Sequence, residues 1–126
     1  MATALAHRIA IKGVQTVGAV NAVLATFAPA NYSPIVNNVG IRCEGRLVGR
    51  DATPVAVSVL VKGVINVVAG AVGLEQSLAE AAIGNATLLA ATGFFDVSVA
   101  TTIRLNATGV AGSTITWSGY LDLWTT

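Results

Sequence analysis

Residues 101–126, TTIRLNATGVAGSTITWSGYLDLWTT, decide the fold class. They form two runs in which apolar and polar residues alternate, separated by the glycine-containing segment 109–113. Alternation with a period of two is typical of β-strands that bury one face. A short linker between two such runs predicts a β-hairpin. The buried face is predicted to carry Ile103, Leu105 and Ala107 of the first run and Ile115, Trp117, Gly119, Leu121 and Leu123 of the second.

The same alternation upstream predicts an all-β chain: an antiparallel β-sandwich of jelly-roll type with about eight short strands. We expect one domain over residues 1–126, in which residues 1–13 form either an edge strand or an extended N-terminal arm. Further strands are predicted over residues 14–27 (two strands kinked at Gly18), 39–48, 55–63, 64–69, 86–91 and 94–100.

The connections between these strands are predicted from proline, glycine and polar residues. Residues 28–38 indicate an irregular loop, and a tight turn is expected near residues 62–63. In the turn at residues 49–54, Asp51 is expected to accept hydrogen bonds from nearby backbone amides. Residues 74–83 differ, because apolar residues recur there at a spacing of four among good helix formers. They predict either a short helix or an irregular connection.

Composition indicates a protein that associates with other chains. Of the 126 residues, 54% are hydrophobic and only 10% are charged, against about 25% charged in an average soluble domain. A small domain has little interior, so some apolar side chains are expected on a surface that another chain covers. The alternative is a surface of small residues, because many of the apolar residues are Ala and Val.

Charge and residue types exclude several function classes. The formal net charge of +1 gives no long-range attraction to nucleic acid or anionic membranes, and neither is expected as a partner. The single Cys43 allows no internal disulfide, and its phase along the strand predicts a buried apolar residue. With one His and no acidic metal-binding loop, we expect no metal, no cofactor and no enzymatic activity. The N-terminus lacks the features of a signal peptide, so synthesis without export is expected.

Several segments, in order, resemble a β-sandwich domain of tailed-bacteriophage virion proteins. The resemblance rests on IRCEGRLVGRDA at residues 41–52, on FDVS at 95–98, on IRL at 103–105, on TGVA at 108–111 and on TITW at 114–117. It implies a trimer-forming structural domain on a capsid or at a tail-fibre tip, and it implies no catalytic residues. Because this domain spans nearly the whole chain, we expect a capsid decoration protein, located in the virion and bound to the major capsid protein or another virion protein. The alternative is a receptor-binding module of a fibre or spike tip that recognises host glycans.

Five residues are interface candidates. Arg42 and Arg46 share a strand face with Glu44, which indicates either a solvated face or a polar contact with a capsid shell. Trp117 is in phase with the buried residues and is expected in the core or at a trimer axis. Tyr120 and Trp124 point the other way, where they could anchor a protein interface or stack on a sugar.

Overall fold

The computed structural model describes residues 4–28, 39–53, 55–99 and 101–125, and strands account for most of them. In chain order the strands are β1 (Ala4–Val17), β2 (Asn21–Phe27), β3 (Val39–Arg50), β4 (Ala56–Val68), β5 (Ala71–Ala79), β6 (Ile83–Gly84), β7 (Thr92–Val99), β8 (Thr102–Thr108) and β9 (Thr114–Thr125). Within these residues there is no α-helix, and the one helical segment is a single 3-10 turn at Ala86–Leu88. The predicted all-β class is confirmed.

Two antiparallel sheets form a sandwich. The larger sheet has the order β1-β9-β3-β4-β5, with β6 also paired to β4, and the smaller sheet has the order β2-β8-β7. The first strand therefore pairs with the last, and the second with the last but one, which is the nested pairing of a jelly roll. By contrast, β3, β4 and β5 follow one another as a simple meander.

The core lies between the sheets and is filled by alternate residues of each strand. Its largest fully buried side chains include Phe27, Ile41, Leu47, Ile65, Phe95, Ile103, Leu105, Ile115, Trp117, Leu121 and Leu123. Inward-facing glycines make room for the largest of them. A Cβ at Gly49 would lie 2.9 Å from Cζ3 of Trp117, and one at Gly63 would lie 2.7 Å from Cδ2 of Phe95. Because Gly49 and Gly63 have no side chains, β3 and β4 leave space in the core for the rings of Trp117 and Phe95.

The predicted C-terminal hairpin is wrong. The alternation is as expected, since Ile103 and Leu105 are buried in β8 and Ile115 and Trp117 are buried in β9. However, β8 pairs with β2 and β7, whereas β9 pairs with β1 and β3. The two strands lie in opposite sheets, and both contribute side chains to the core. Alternation shows which face of a strand is buried, and it carries no information about the partner strand.

Residues 109–113 therefore connect the two sheets, beside a second connection at residues 18–20. Backbone hydrogen bonds tie the two corners together: the Gly18 N–H donates to Ser113 O (2.9 Å) and the Gly109 N–H donates to Val20 O (3.0 Å). At Gly109 a Cβ would lie 2.4 Å from Gly18 O. The close approach of the corners requires glycine at this position, and the predicted kink at Gly18 is in fact the change of sheet.

The central part of the chain corrects three further predictions. Residues 71–79 form strand β5 along β4, where the predictions were a helix or an irregular connection for residues 74–83. Pairing with β4 overrides the helix-forming tendency of these residues. The predicted turn near residues 62–63 is absent because β4 runs unbroken to Val68, and the turn lies at Ala69–Gly70 instead. Residues 86–88 form the 3-10 turn in place of a predicted strand.

The N-terminal residues from Ala4 onward form an edge strand of the larger sheet. β1 pairs with β9 along its whole length, with irregularities at residues 5–7 and 11–14. The strand alternative therefore holds for the described part of residues 1–13. The loop predicted at residues 28–38 lies, apart from Ala28, outside the described residues. In the part of the chain that the structure describes, no helix is long and apolar enough to cross a membrane.

Candidate interaction face

The larger sheet presents a broad surface on the side away from the core, which we call the outer face. Strand register defines its rows, because residues paired across neighbouring strands point to the same side. Tyr120 pairs with Arg46, and Trp124 pairs with Arg42. Four of the five candidate residues therefore share the outer face. Its principal residues are Arg8, Ala10 and Lys12 of β1, Ser118, Tyr120, Asp122 and Trp124 of β9, Arg42, Glu44, Arg46, Val48 and Arg50 of β3, and Leu60, Lys62 and Val64 of β4.

Trp117, the fifth candidate, lies in the core. Its side chain is fully buried, and its indole Nε1–H donates to Oγ1 of Thr16 at 3.0 Å. Thr16 is itself buried, so this hydrogen bond satisfies two polar groups inside the sandwich. Trp117 holds β1 to β9 from within.

Nearly all of the basic residues lie on the outer face. The chain has seven Lys and Arg residues, and only Arg104 is placed elsewhere, in the smaller sheet beside Asp96. Opposite charges that lie side by side on adjacent strands attract each other, and the attraction weakens with distance. The outer face divides into a region where the charges are paired and a region where they are not.

One centre of the paired region is Asp122 on β9. Arg8 binds this carboxylate through both ends of its guanidinium, with Nε to Oδ1 at 2.6 Å and Nη2 to Oδ2 at 2.8 Å. Asp122 is 1% exposed although it belongs to the outer face. The hydrogen bonds and charge of Asp122 raise the pKa of Arg8. Arg8 also lies 4.8 Å above the ring of Tyr120, so one guanidinium covers both residues.

A second stack lies nearby on β3 and β9. The Arg42 guanidinium is 4.4 Å from the centre of the Trp124 ring and 3.6 Å from the Glu44 carboxylate. Together the two stacks cover part of each aromatic ring with arginine. This leaves less ring surface for stacking on a sugar.

The paired region continues across β4. Lys62 Nζ lies 2.9 Å from Glu80 Oε2, and both side chains are about half exposed, so this ion pair contributes little to stability. A depression of about 270 Å³ opens beside it and is lined by Arg42, Glu44, Lys62, Val64, Gln76 and Leu78, together with Gly63. Its walls carry both signs of charge.

Lys12, Arg46 and Arg50 form the unpaired region, which we call the basic patch. Among the described residues, none of the three has a carboxylate oxygen within 4.0 Å. A groove of about 310 Å³ opens beside Lys12 and is lined by Ala10, Ile11, Lys12, Val48, Ser118, Gly119 and Tyr120. Of these, Val48 lies between Arg46 and Arg50 on β3. Ser118 and Gly119, two of the groove's lining residues, are small.

Apolar side chains are also exposed on or beside the outer face. Val48 is 54% exposed, Leu78 is 56% exposed and Ile83 is 76% exposed. Val64 and Tyr120 are about half exposed. Exposed apolar side chains grouped on one surface are typical of an interface. A second group, Val17, Val20 and Val23, is exposed at the corner between β1 and β2.

The other chemically notable groups have structural surroundings. Burial raises the pKa of the Cys43 thiol to about 12, which leaves it protonated and poorly nucleophilic at neutral pH. As predicted, Asp51 closes its turn: its Oδ1 accepts from the Thr53 hydroxyl at 2.7 Å and from the Thr53 and Val55 amides. These hydrogen bonds, led by that from the Thr53 hydroxyl, lower the pKa of Asp51. In the described part of the chain, no three His, Cys, Asp or Glu side chains are grouped closely enough to hold a metal.

The interface candidates chosen from the sequence did not include Arg8, Lys12, Arg50 or Asp122, which also belong to this face. Asp122 has the same strand parity as Tyr120 and Trp124, and Arg50 has that of Arg42 and Arg46, so both could have been found from alternation. Arg8 and Lys12 join the face only because β1 pairs with β9, a contact between the two ends of the chain.

Comparison with known proteins finds no match: no family model, no curated protein and no solved structure is significantly similar to this chain.

Proposed function

We propose that this chain is a structural protein of a tailed-bacteriophage virion, and that it acts as a capsid decoration protein. In this role it forms a homotrimer and binds the head beside the major capsid protein. The sequence resemblance over residues 41–52 and 95–117 supports the assignment to virion proteins. The fold is compatible with it, because a β-sandwich is an architecture that such proteins use.

The observation that carries the proposal is the composition of the outer face. It combines exposed apolar side chains with unpaired cations on a single hydrogen-bonded sheet. Such a surface has the apolar and polar contacts of a protein interface. Because the backbone of this face is fixed in a sheet, little backbone conformational entropy is lost when it binds.

We assign the trimer contact to the corner between β1 and β2. Val17 is 65% exposed, Val20 is 51% exposed and Val23 is 42% exposed, all within one short segment. Burying them against neighbouring subunits removes apolar area from water.

The mechanism is passive. Each copy bridges neighbouring capsid subunits through its outer face, and the rigid sheets resist local opening of the shell. Individual contacts need only ordinary interface energies, because many copies on one shell act together and each trimer binds through several subunits.

Immunogold electron microscopy of phage particles tests the proposal. An antibody against the purified chain should label heads over their whole surface, and particles from a deletion strain should lose the label and break at lower osmotic or thermal stress. Label confined to tail tips, together with loss of host adsorption in the deletion strain, would favour the glycan-binding alternative and overturn the decoration role.

A further inference from the structure

We infer that the basic patch of Lys12, Arg46 and Arg50 binds an extended, carboxylate-rich segment of a partner protein. The inference deepens the proposed function, on which it rests for the partner's place in the virion, by naming the chemistry of the surface that the outer face contacts.

Charge pairing separates these three residues from the other cations. Arg8, Arg42, Lys62 and Arg104 each have a carboxylate within 4.0 Å inside the chain. Among the described residues, Lys12, Arg46 and Arg50 have none, although Glu44 and Asp122 lie on the same face. Arginine forks bind carboxylates and phosphates with two parallel hydrogen bonds, so each of the two free arginines on β3 can take one carboxylate of a partner.

The spacing suits an extended chain. Arg46 and Arg50 are four residues apart on β3, which at about 3.3 Å per residue places them about 13 Å apart. Acidic residues four positions apart in an extended segment have the same separation. Lys12 lies on the far side of β9, across the groove floored by Ser118 and Gly119. The segment can therefore lie along β3 with its backbone over the groove and Val48 against its apolar atoms.

Nucleic acid fits the same surface less well. The basic patch is short, with three cations and about 13 Å between its two arginines, whereas a nucleic acid carries phosphate charges continuously along its length. The chain's formal net charge is only +1. Non-specific binding to nucleic acid needs many unopposed cations in a stripe. Binding a partner with a few well-placed carboxylates needs only the three cations of the basic patch.

Fluorescence anisotropy with labelled poly-L-glutamate tests the inference. The test variant is Lys12→Gln/Arg46→Gln/Arg50→Gln. The control variant, Thr26→Glu/Ala90→Glu/Thr92→Glu, lowers the net charge by the same amount at exposed positions outside the outer face. We expect the test variant to bind about tenfold more weakly than the wild-type protein, and the control to change binding less than about threefold. Thermal unfolding followed by circular dichroism checks that both variants are folded.

A further variant, Arg46→Lys/Arg50→Lys, retains the positive charges but lacks the guanidinium groups that form two parallel hydrogen bonds. Binding between that of the wild-type protein and that of the test variant would support bidentate recognition. Equal loss in test and control variants would show that only net charge matters, and would overturn the inference. Stronger binding to duplex DNA of the same chain charge than to poly-L-glutamate would also overturn it. None of these outcomes depends on where the protein lies in the virion, so the immunogold result and this result can fail separately.

Discussion

The two faces of β3 and β9 consist of alternate residues of the same strands, yet they are organised by different physics. The inner face holds Leu47 and Trp117 at about 1% exposure or less, over glycines that leave space for them. On the outer face, Arg42 stacks on Trp124 and Tyr120 lies under Arg8, and both Arg42 and Tyr120 are about half exposed. The available volume determines which side chains fit on the inner face. Ion pairs and cation–π contacts determine how the side chains of the outer face are arranged.

The difference predicts unequal sensitivity to substitution. A close-packed interior cannot absorb even a methyl group without displacement, whereas an exposed ion pair can exchange its partner for water. Four substitutions test this, and they are described from the largest expected effect to the smallest.

Gly119→Ala should have the largest effect. Gly119 has φ +143°, and a Cβ there would lie 1.9 Å from Arg46 O, so the substitution forces β9 away from β3. We expect the free energy of unfolding to fall by about 3 kcal/mol or more, measured by urea denaturation. Gly112→Ala is the control, with φ +79° but no atom within 4 Å of the added carbon. It should cost only about 1–2 kcal/mol, and equal losses would contradict the steric explanation.

Thr16→Val tests the hydrogen bond inside the core. It leaves Nε1 of Trp117 buried without its acceptor, and we expect a loss of about 2 kcal/mol in the free energy of unfolding. Thr116→Val removes a comparable hydroxyl, which accepts from the exposed Gln15 at 3.3 Å. That control should change stability by less than about 0.5 kcal/mol. If Thr116→Val lowered the free energy of unfolding as much as Thr16→Val, the effect would come from strand propensity and not from the buried hydrogen bond.

Asp122→Asn tests whether the buried carboxylate of the outer face contributes more to stability than an exposed carboxylate. The substitution removes one charge from a bidentate pair whose acid is 1% exposed and whose Arg8 side chain is 50% exposed. Because Arg8 can regain water, we expect a moderate loss of about 1–2 kcal/mol by urea denaturation. Asp96→Asn breaks the similar pair with Arg104 at a more exposed site and should cost less than about 1 kcal/mol. The reverse order would refute burial as the determinant.

The Asp96–Arg104 pair should give the smallest effect, and one that depends on pH. Hydrogen bonds from the Arg104 guanidinium lower the pKa of Asp96 in the folded protein. The unfolded chain therefore binds the proton more readily, so the stabilisation is complete above about pH 4 and disappears as the pH falls through the folded pKa. In urea denaturation across this range, the stability difference between the wild-type protein and Asp96→Asn should shrink on acidification. A difference that is constant with pH would exclude the linkage.

The alternation of residues predicted the class of fold and the composition of each strand face. The parity of Arg42, Arg46, Tyr120 and Trp124 was sufficient to place them on the side opposite the core. It did not reveal that Arg42 stacks on Trp124, because that contact requires β3 and β9 to be neighbours. The prediction of a helix or an irregular connection at residues 74–83 was wrong for residues 74–79 for a related reason, since the strand formed there depends on β4 being available as a partner.

The amino-acid sequence by itself determined which side of each strand is buried, because a period of two is a local property of an extended backbone. Only the tertiary structure decided that β8 and β9 lie in opposite sheets, that β1 joins β9, and that Lys12 therefore lies beside a groove near Arg46 and Arg50. Strand pairing joins residues that are distant along the chain through backbone groups that every residue shares. Side-chain alternation leaves such pairing open, and packing of the whole core selects it.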